Sequence, residues 1–207
     1  MPHAEALPVA APALTAVLFG LSGCLVDFGA RMHQHGVDKP SHEPANATPG
    51  ALDILHSLQR QGIPCAWLDE LPHGVSHSLA ASLPDWIKPT NTETASQWPA
   101  PNACWQALMA LNVSRLDGCV LVSGEPRLLQ SGLNAGLWTI GLASCGSLCG
   151  LAPSEWQALG QQERERKRGK ATLQLFGLGV HSVIDHLGEL TTCLADIGLR
   201  RLKGEKP

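Results

Sequence analysis

A parallel α/β sheet covered by helices on both faces is the fold this sequence predicts, and two observations predict it. The first is Ala16-Val17-Leu18-Phe19, an apolar run that climbs into the turn Gly20-Leu21-Ser22-Gly23. A strand buried on both faces delivers a loop to the carboxyl edge of such a sheet in this way. The second is the alternation that follows. Short apolar runs at 63–68, 119–122, 137–142 and 181–184 are separated by segments of helical length, which is the spacing of βαβ units. There is no internal repeat.

Taken in order, residues 1–14 read as a flexible Ala/Pro-rich arm without the positive n-region of a signal peptide. Residues 15–207 read as a single domain, long enough for a substantial core. Segment 29–48 is rich in His, Pro and Gly and without period, so it is expected to be a loop. Thr48 or Asn46 can cap a helix that starts near Pro49, with Leu52, Leu55, His56 and Leu58 on its inner face and Gly62 as its stop. A strand over 63–68, a helix over 75–83 and a short strand at Trp86-Ile87 come next, followed by a polar loop over 88–97. A helix over 101–111 should bury Trp105, Leu108 and Met109. The strand at 119–122, a helix over 126–135 and the strand at 137–142 lead into one long helix over 154–168. That helix carries Glu163-Arg164-Glu165-Arg166-Lys167-Arg168, whose mixed signs suit a solvated face better than a docking patch. A last strand at 181–184 and a helix over 187–202 complete the chain.

Composition excludes several classes of function. The net charge of −3 and 16% charged residues leave no electrostatic footprint for nucleic acid or an anionic membrane. No apolar run is long enough to span a bilayer. The seven cysteines are odd in number and scattered; Cys24, Cys65 and Cys119 lie in or beside apolar runs, where a thiol behaves as a small hydrophobe. A reduced, cytoplasmic protein is expected rather than a disulfide scaffold. Cys145-x-x-x-Cys149 has no second pair to make a metal site, so a Gly/Ser loop is the better reading.

The stretch Gly20 to Asp27 resembles the first motif of the haloacid dehalogenase (HAD) hydrolases, where a strand ends in Asp-x-Asp-Gly-Thr-Leu-Val-Asp; Gly23, Leu25, Val26 and Asp27 match it. Within that superfamily the chain is similar to the phosphonoacetaldehyde hydrolases. Gly132-Leu133-Asn134-Ala135-Gly136-Leu137-Trp138-Thr139-Ile140-Gly141 parallels their Gly-x-Asn-Ala-Gly-Met-Trp-Thr-Val-Gly segment. Pro99-Ala100-Pro101 with Cys104, Met109, Leu111 and Val113 resembles the helix after their Arg/Lys-Pro-x-Pro motif. Gly179-Val180-His181, Ile184, Glu189 and Leu190 resemble their final strand and helix. The resemblance implies a Rossmann-like core with Mg²⁺ at the carboxyl edge, and a helical cap carrying a Schiff-base lysine.

Two departures from the family stand out. Only about twenty residues separate Phe28 from Pro49, too few for a packed helical bundle, so 29–48 is a cap remnant whose single lysine is Lys39. The chemical positions also differ. Gly20 stands at the nucleophilic aspartate and Ser22 at the general acid/base, where phosphonatases too have a small residue. Asp69 stands at the Thr/Ser of the second motif, where an anion repels phosphate. Trp98 stands at the cation before Pro-x-Pro, and Ser123 and Gly124 stand at the paired aspartates, leaving Glu125 as the nearest acid. Mg²⁺ wants several oxygens in octahedral array, and no catalytic residue, Mg²⁺ or other metal is expected here.

Three readings follow. The first is a HAD-like protein without catalysis, whose backbone nest of Gly20, Leu21, Ser22 and Gly23 with Ser123 and Gly124 holds a small anionic ligand or lies vestigial, packed by Trp67 and Trp98. The second is a phosphate or phosphonate hydrolase with relocated acids, Asp69, Glu70 and Glu125, in which Asp69-Glu70 beside His73 makes an acid/base cluster. The third is an interaction protein whose uncapped face docks on a protein partner. His33, His35 and His42, and separately His73 and His77 at helical spacing, are weaker metal candidates. Restoring aspartate at Gly20 and Gly124 is the direct test of whether the pocket survives.

Overall fold

The computed structural model describes residues 13–35, 46–90 and 97–207. Six parallel strands form one sheet in the order β3-β2-β1-β4-β5-β6. They are β1 (Ala16–Gly20), β2 (Cys65–Leu68), β3 (Lys88–Pro89), β4 (Cys119–Ser123), β5 (Trp138–Leu142) and β6 (Ser182–Ile184). The order reverses between β1 and β4, the position where open α/β sheets leave a crevice at their carboxyl ends.

The period-two alternation of the strands sorts the core into two layers. Val17, Phe19, Cys65, Trp67, Val120, Val122, Trp138 and Ile140 face α2 (Ala51–Arg60), α3 (His73–Leu79) and α8 (Leu190–Leu202). Ala16, Leu18, Ala66, Leu68 and Leu121 face α4 (Asn102–Ala110) and α5 (Pro126–Asn134). A third cluster packs Ala171 and Leu175 of α7 (Gln161–Gly177) on the β5 side. The two remaining helices are short: α1 (Arg31–His35) and α6 (Pro153–Ala158). Arg201 of α8 ties the last helix to the front of β4, its guanidinium on both carboxylate oxygens of Asp117 at 3.1 and 2.8 Å.

Several elements differ from the sequence expectation. The inner face of α2 is Ala51, Ile54, Leu55 and Leu58, with Leu52 and His56 turned outward; the i, i+3, i+4, i+7 stripe begins one residue earlier, on a small side chain. Gly50 precedes α2 without a side-chain cap, because the Thr48 hydroxyl donates instead to the carbonyls of Cys24 and Leu25. On α4 the buried residues are Ala103, Cys104, Ala107 and Leu108, while Trp105 and Met109 face outward, Met109 at 67% exposure. Small residues let that helix lie close to the sheet, and Trp105 reaches sideways to donate to the Ala135 carbonyl at 3.3 Å.

The third strand is Lys88–Pro89 rather than Trp86-Ile87, and the helix over 75–83 is α3 followed by a 3₁₀ turn, Ala80–Ser82. The long helix expected over 154–168 is two, α6 and α7, separated by an extended Leu159 and by Gly160, a poor helix former. Part of the expected 29–48 loop is the helix α1; Lys39 and His42 lie outside the described residues, as do 1–12 of the N-terminal arm. Among the described residues no helix is long and apolar enough to cross a membrane.

Candidate functional site

β1 and β4 end side by side and carry the two halves of the expected site. Gly20 closes β1, and its backbone lies against β4 so tightly that a Cβ there would stand 2.7 Å from Ser123 Oγ and 3.3 Å from Ser123 Cβ. Past Ser123, the chain turns at Gly124, where a Cβ would run into the Gly23 carbonyl oxygen on one side and Gly146 Cα on the other. The 144–150 loop closes this side further: Ser147 N–H donates to Gly124 O at 3.2 Å and Gly29 N–H to Cys145 O at 2.7 Å. The structure therefore brings Gly20, Ser22, Gly23, Ser123 and Gly124 together, but backbone on both sides leaves no room for an aspartate at Gly124, and one at Gly20 would require the Ser123 hydroxyl to turn away.

The N–H groups of the turn face inward onto the protein's own acceptors. Leu21 N–H pairs with Leu68 O at 3.0 Å, and Gly23 N–H with Val26 O and Asp27 O at 2.9 and 3.1 Å. Ser22 N–H donates to Asp69 Oδ2 at 3.1 Å. A carboxylate of this chain thus sits on the Ser22 N–H that the expected nest offers to an anion, and the nest is filled from within.

Asp69 follows β2, and its side chain is only 2% exposed. Its other oxygen, Oδ1, accepts from Leu71 N–H at 2.9 Å and lies 3.2 Å from His33 Nε2. His33 reaches it from α1, in the segment read as a cap remnant. Burial pulls the His33 imidazole pKa down, but its hydrogen bond to Asp69 and the charges of Asp69, Glu125 and Asp27 outweigh that and leave it above the ordinary value. The partner of Asp69 is therefore His33 and not His73, which is exposed on α3 with its ring 6.0 Å from that of His77. The pairing joins positions 36 residues apart, so no local spacing could reveal it.

The remaining acids are engaged as well. Asp27 accepts from Ser22 Oγ at 2.6 Å and from the Arg31 and Met32 N–H groups at 3.3 and 3.0 Å, satisfying two orphan donors of α1. Its φ of 54° is left-handed, a conformation Asp tolerates better than most residues. Glu125 caps α5 through Arg127 N–H at 3.2 Å, and its own N–H donates to Ser123 Oγ at 2.9 Å. Glu70 accepts from Trp98 N–H at 2.6 Å and Arg127 Nη1 at 3.0 Å, and Arg127 also donates to the Trp98 carbonyl. Trp98 and Trp67 are both buried, Trp98 in the layer beneath β1 and β2.

The Mg²⁺ that the fold family implies does not fit these donors. Gly20 and Gly124 offer no side chain, Ser123 Oγ already accepts from Glu125, and the Asp69 and Asp27 oxygens are spent on N–H, O–H and imidazole donors. A hard cation needs about six oxygens free to converge. Among the described residues no group of three or more His, Cys, Asp and Glu is arranged to hold a metal ion. Cys145 and Cys149 are both buried free thiols, and burial pushes the Cys145 pKa up to about 12, far from the thiolate that metal binding or exchange requires.

Beside this closed cradle lies an open cleft of about 1480 Å³, walled by α3 on one side and by α6 and α7 on the other, with the ends of β5 and β6 at its base. Sequence reasoning did not single it out, because its lining comes from six separated segments.

With this geometry in place, known proteins can be set beside it. No family model matches the chain. A phosphonoacetaldehyde hydrolase of Klebsiella pneumoniae subsp. pneumoniae is 30% identical over 164 residues, covering 76% of this chain. One from Salmonella enteritidis is 29% identical over the same length. The chain spans 61% of the length of these curated relatives. One solved structure, 65% identical, covers 94% of this chain with a TM-score of 0.90. A phosphonoacetaldehyde hydrolase like protein from Oleispira antarctica shares the fold over 100% of both chains at TM-score 0.84 and 21% identity. A HAD family hydrolase from Deinococcus radiodurans, with bound phosphate and sodium, covers 92% of this chain and 98% of its own at TM-score 0.63 and 20% identity.

The fold defines the class: it is the fold of the haloacid dehalogenase family hydrolases. Within it the chain resembles phosphonoacetaldehyde hydrolase in sequence.

Proposed function

We propose that this chain is a binding or regulatory member of its superfamily that neither catalyses hydrolysis nor uses Mg²⁺. One observation carries the reading: the Asp69 carboxylate, held by Ser22 N–H, Leu71 N–H and His33, sits on the nest that would otherwise receive an anion. Covalent phosphoryl transfer needs a carboxylate nucleophile, and Gly20 supplies none. The loss of a nucleophile removes most of the rate of such an enzyme. The relocated acids do not favour the alternative, since Asp69, Glu70 and Glu125 are each tied to backbone or guanidinium donors.

The test is turnover of p-nitrophenyl phosphate and of phosphonoacetaldehyde by the pure protein with Mg²⁺. No rate above buffer is expected. Turnover proportional to protein concentration would overturn the reading, and Asp69→Ala and Glu125→Ala variants would then show whether those acids carry it. The role left to the chain is recognition, of a small anionic ligand or of a protein partner.

A further inference from the structure

We infer that the open cleft beside the cradle is a ligand site of this chain, taking an organic anion with an aromatic or alicyclic body. The inference rests on the reading of the chain as a binding protein and adds the ligand's class and position.

Size comes first. At about 1480 Å³ the cleft exceeds the range of about 300–1,000 Å³ usual for small-molecule pockets. The occupant needs a body.

Three guanidiniums (Arg31, Arg164, Arg168) and three carboxylates (Asp27, Glu165, Asp185) line the cleft, so its formal charges balance, but only Arg168 and Asp185 among them form an ion pair. Arg168 is spent on Asp185 at 2.6 Å, and Asp27 on the donors of α1 and Ser22. Glu165 accepts from Gln161 at 2.9 Å. Arg31 and Arg164 also line the cleft, and no ion pair among the described residues engages either. Arg164 is the pointed case: the residue is half-buried, and its Nε is shut off from solvent with no hydrogen-bond partner among the described residues. Buried donors in proteins are as a rule paired; Trp86 Nε1 and Trp138 Nε1 are unpaired here as well, but a guanidinium is charged, and an oxyanion is the acceptor its fork matches best. His186 adds a further donor. Its Nδ1 accepts from Gly188 N–H at 3.2 Å, so the neutral ring carries its proton on Nε2.

Two half-buried rings, Phe28 and Trp156, also line the cleft, with centroids 6.4 Å apart and planes tilted by 51°. Together they offer an apolar wall on which a flat body can rest while its charged end meets Arg31 and Arg164. The cradle cannot take that charge, because Leu21, Ser22 and Gly23 have given their N–H groups to internal acceptors.

Isothermal titration calorimetry of the full chain with naphthalene-2-sulfonate, its neutral counterpart 2-naphthol and inorganic phosphate tests this. The sulfonate should bind one to one and at least about tenfold more tightly than either of the others, and Arg31→Gln and Arg164→Gln should each weaken it by about tenfold. Amide and indole NMR shifts on titration should centre on Phe28, Trp156 and Arg164. Equal affinity for sulfonate and naphthol, affinity unchanged in both folded Arg variants, shifts centred on Leu21 to Gly23, or no binding at all would each overturn the inference. Hydrolytic turnover by the wild-type chain would instead overturn the non-catalytic reading and leave the mapped site standing, so the two failures are distinguishable.

Discussion

Two neighbouring regions of the carboxyl edge are built in opposite ways. Between β1 and β4 the turn is sealed: Gly20 and Gly124 touch their neighbours' atoms, every N–H from Leu21 to Gly23 has an internal acceptor, and Asp69 stands where an anion would. Between α3 and α6–α7 the protein leaves a cleft, lined by a guanidinium nitrogen unpaired among the described residues and by two half-buried rings. The difference teaches that inherited position and present capacity have separated. On the proposed reading the cradle contributes to stability, and ligand recognition falls to the cleft beside it.

If the cradle is structural, substitutions there should cost stability, and the largest cost belongs to Gly124. In Gly124→Ala the new Cβ meets only backbone, from Gly23 and Gly146, which cannot rotate away. Urea unfolding should show a loss of about 3 kcal/mol or more. A loss near zero would mean the loops are not jammed together.

Asp69→Ala comes next. It strips the buried acceptor from Ser22 N–H and Leu71 N–H and the partner from His33, at about 2–3 kcal/mol; Asp69→Asn, which keeps one acceptor, should lose less. Gly20→Ala follows at about 1–2 kcal/mol, because the atom it meets first is a side-chain hydroxyl. Adding Ser123→Ala should return part of that loss, and a double-mutant cycle with no coupling would show that the two sites are not in contact.

Smaller still is the pH dependence carried by His33. Its folded pKa is raised, so its contribution is complete below the ordinary value near 6.5 and is lost as pH climbs through the folded value. Stability measured against pH should therefore fall less steeply above 6.5 in His33→Gln than in the wild type. The difference between the two proteins isolates His33 from His181, whose pKa is lowered by burial and by Arg200 and which acts in the opposite direction. Last, Arg164→Gln should move stability by no more than about 0.5 kcal/mol. A large loss there would make the cleft structural too and erase the contrast.

Much of this was legible in the sequence. Hydrophobic runs located β1, β2, β4, β5 and β6, because a strand buried on both faces needs uninterrupted apolar residues whatever surrounds it. The Gly-x-Ser-Gly turn and the Ser123-Gly124 pair were placed at one edge correctly. Errors arose where tertiary packing chose among options of equal local merit. α4 turned Ala103 and Ala107 inward and Trp105 outward because closeness to the sheet outweighed side-chain hydrophobicity. α6 and α7 separated at Leu159 and Gly160, ahead of the charged run, which lies intact within α7.

By itself, then, the sequence determined the α/β class, the strand order's raw material and the absence of side chains at Gly20 and Gly124. These are properties of local pattern and residue identity. Only the tertiary structure decided that His33 rather than His73 meets Asp69, that Gly146 locks Gly124, and that no ion pair among the described residues engages Arg164. Those facts depend on which distant segments share a few ångströms of space, and that is set by packing of the whole chain.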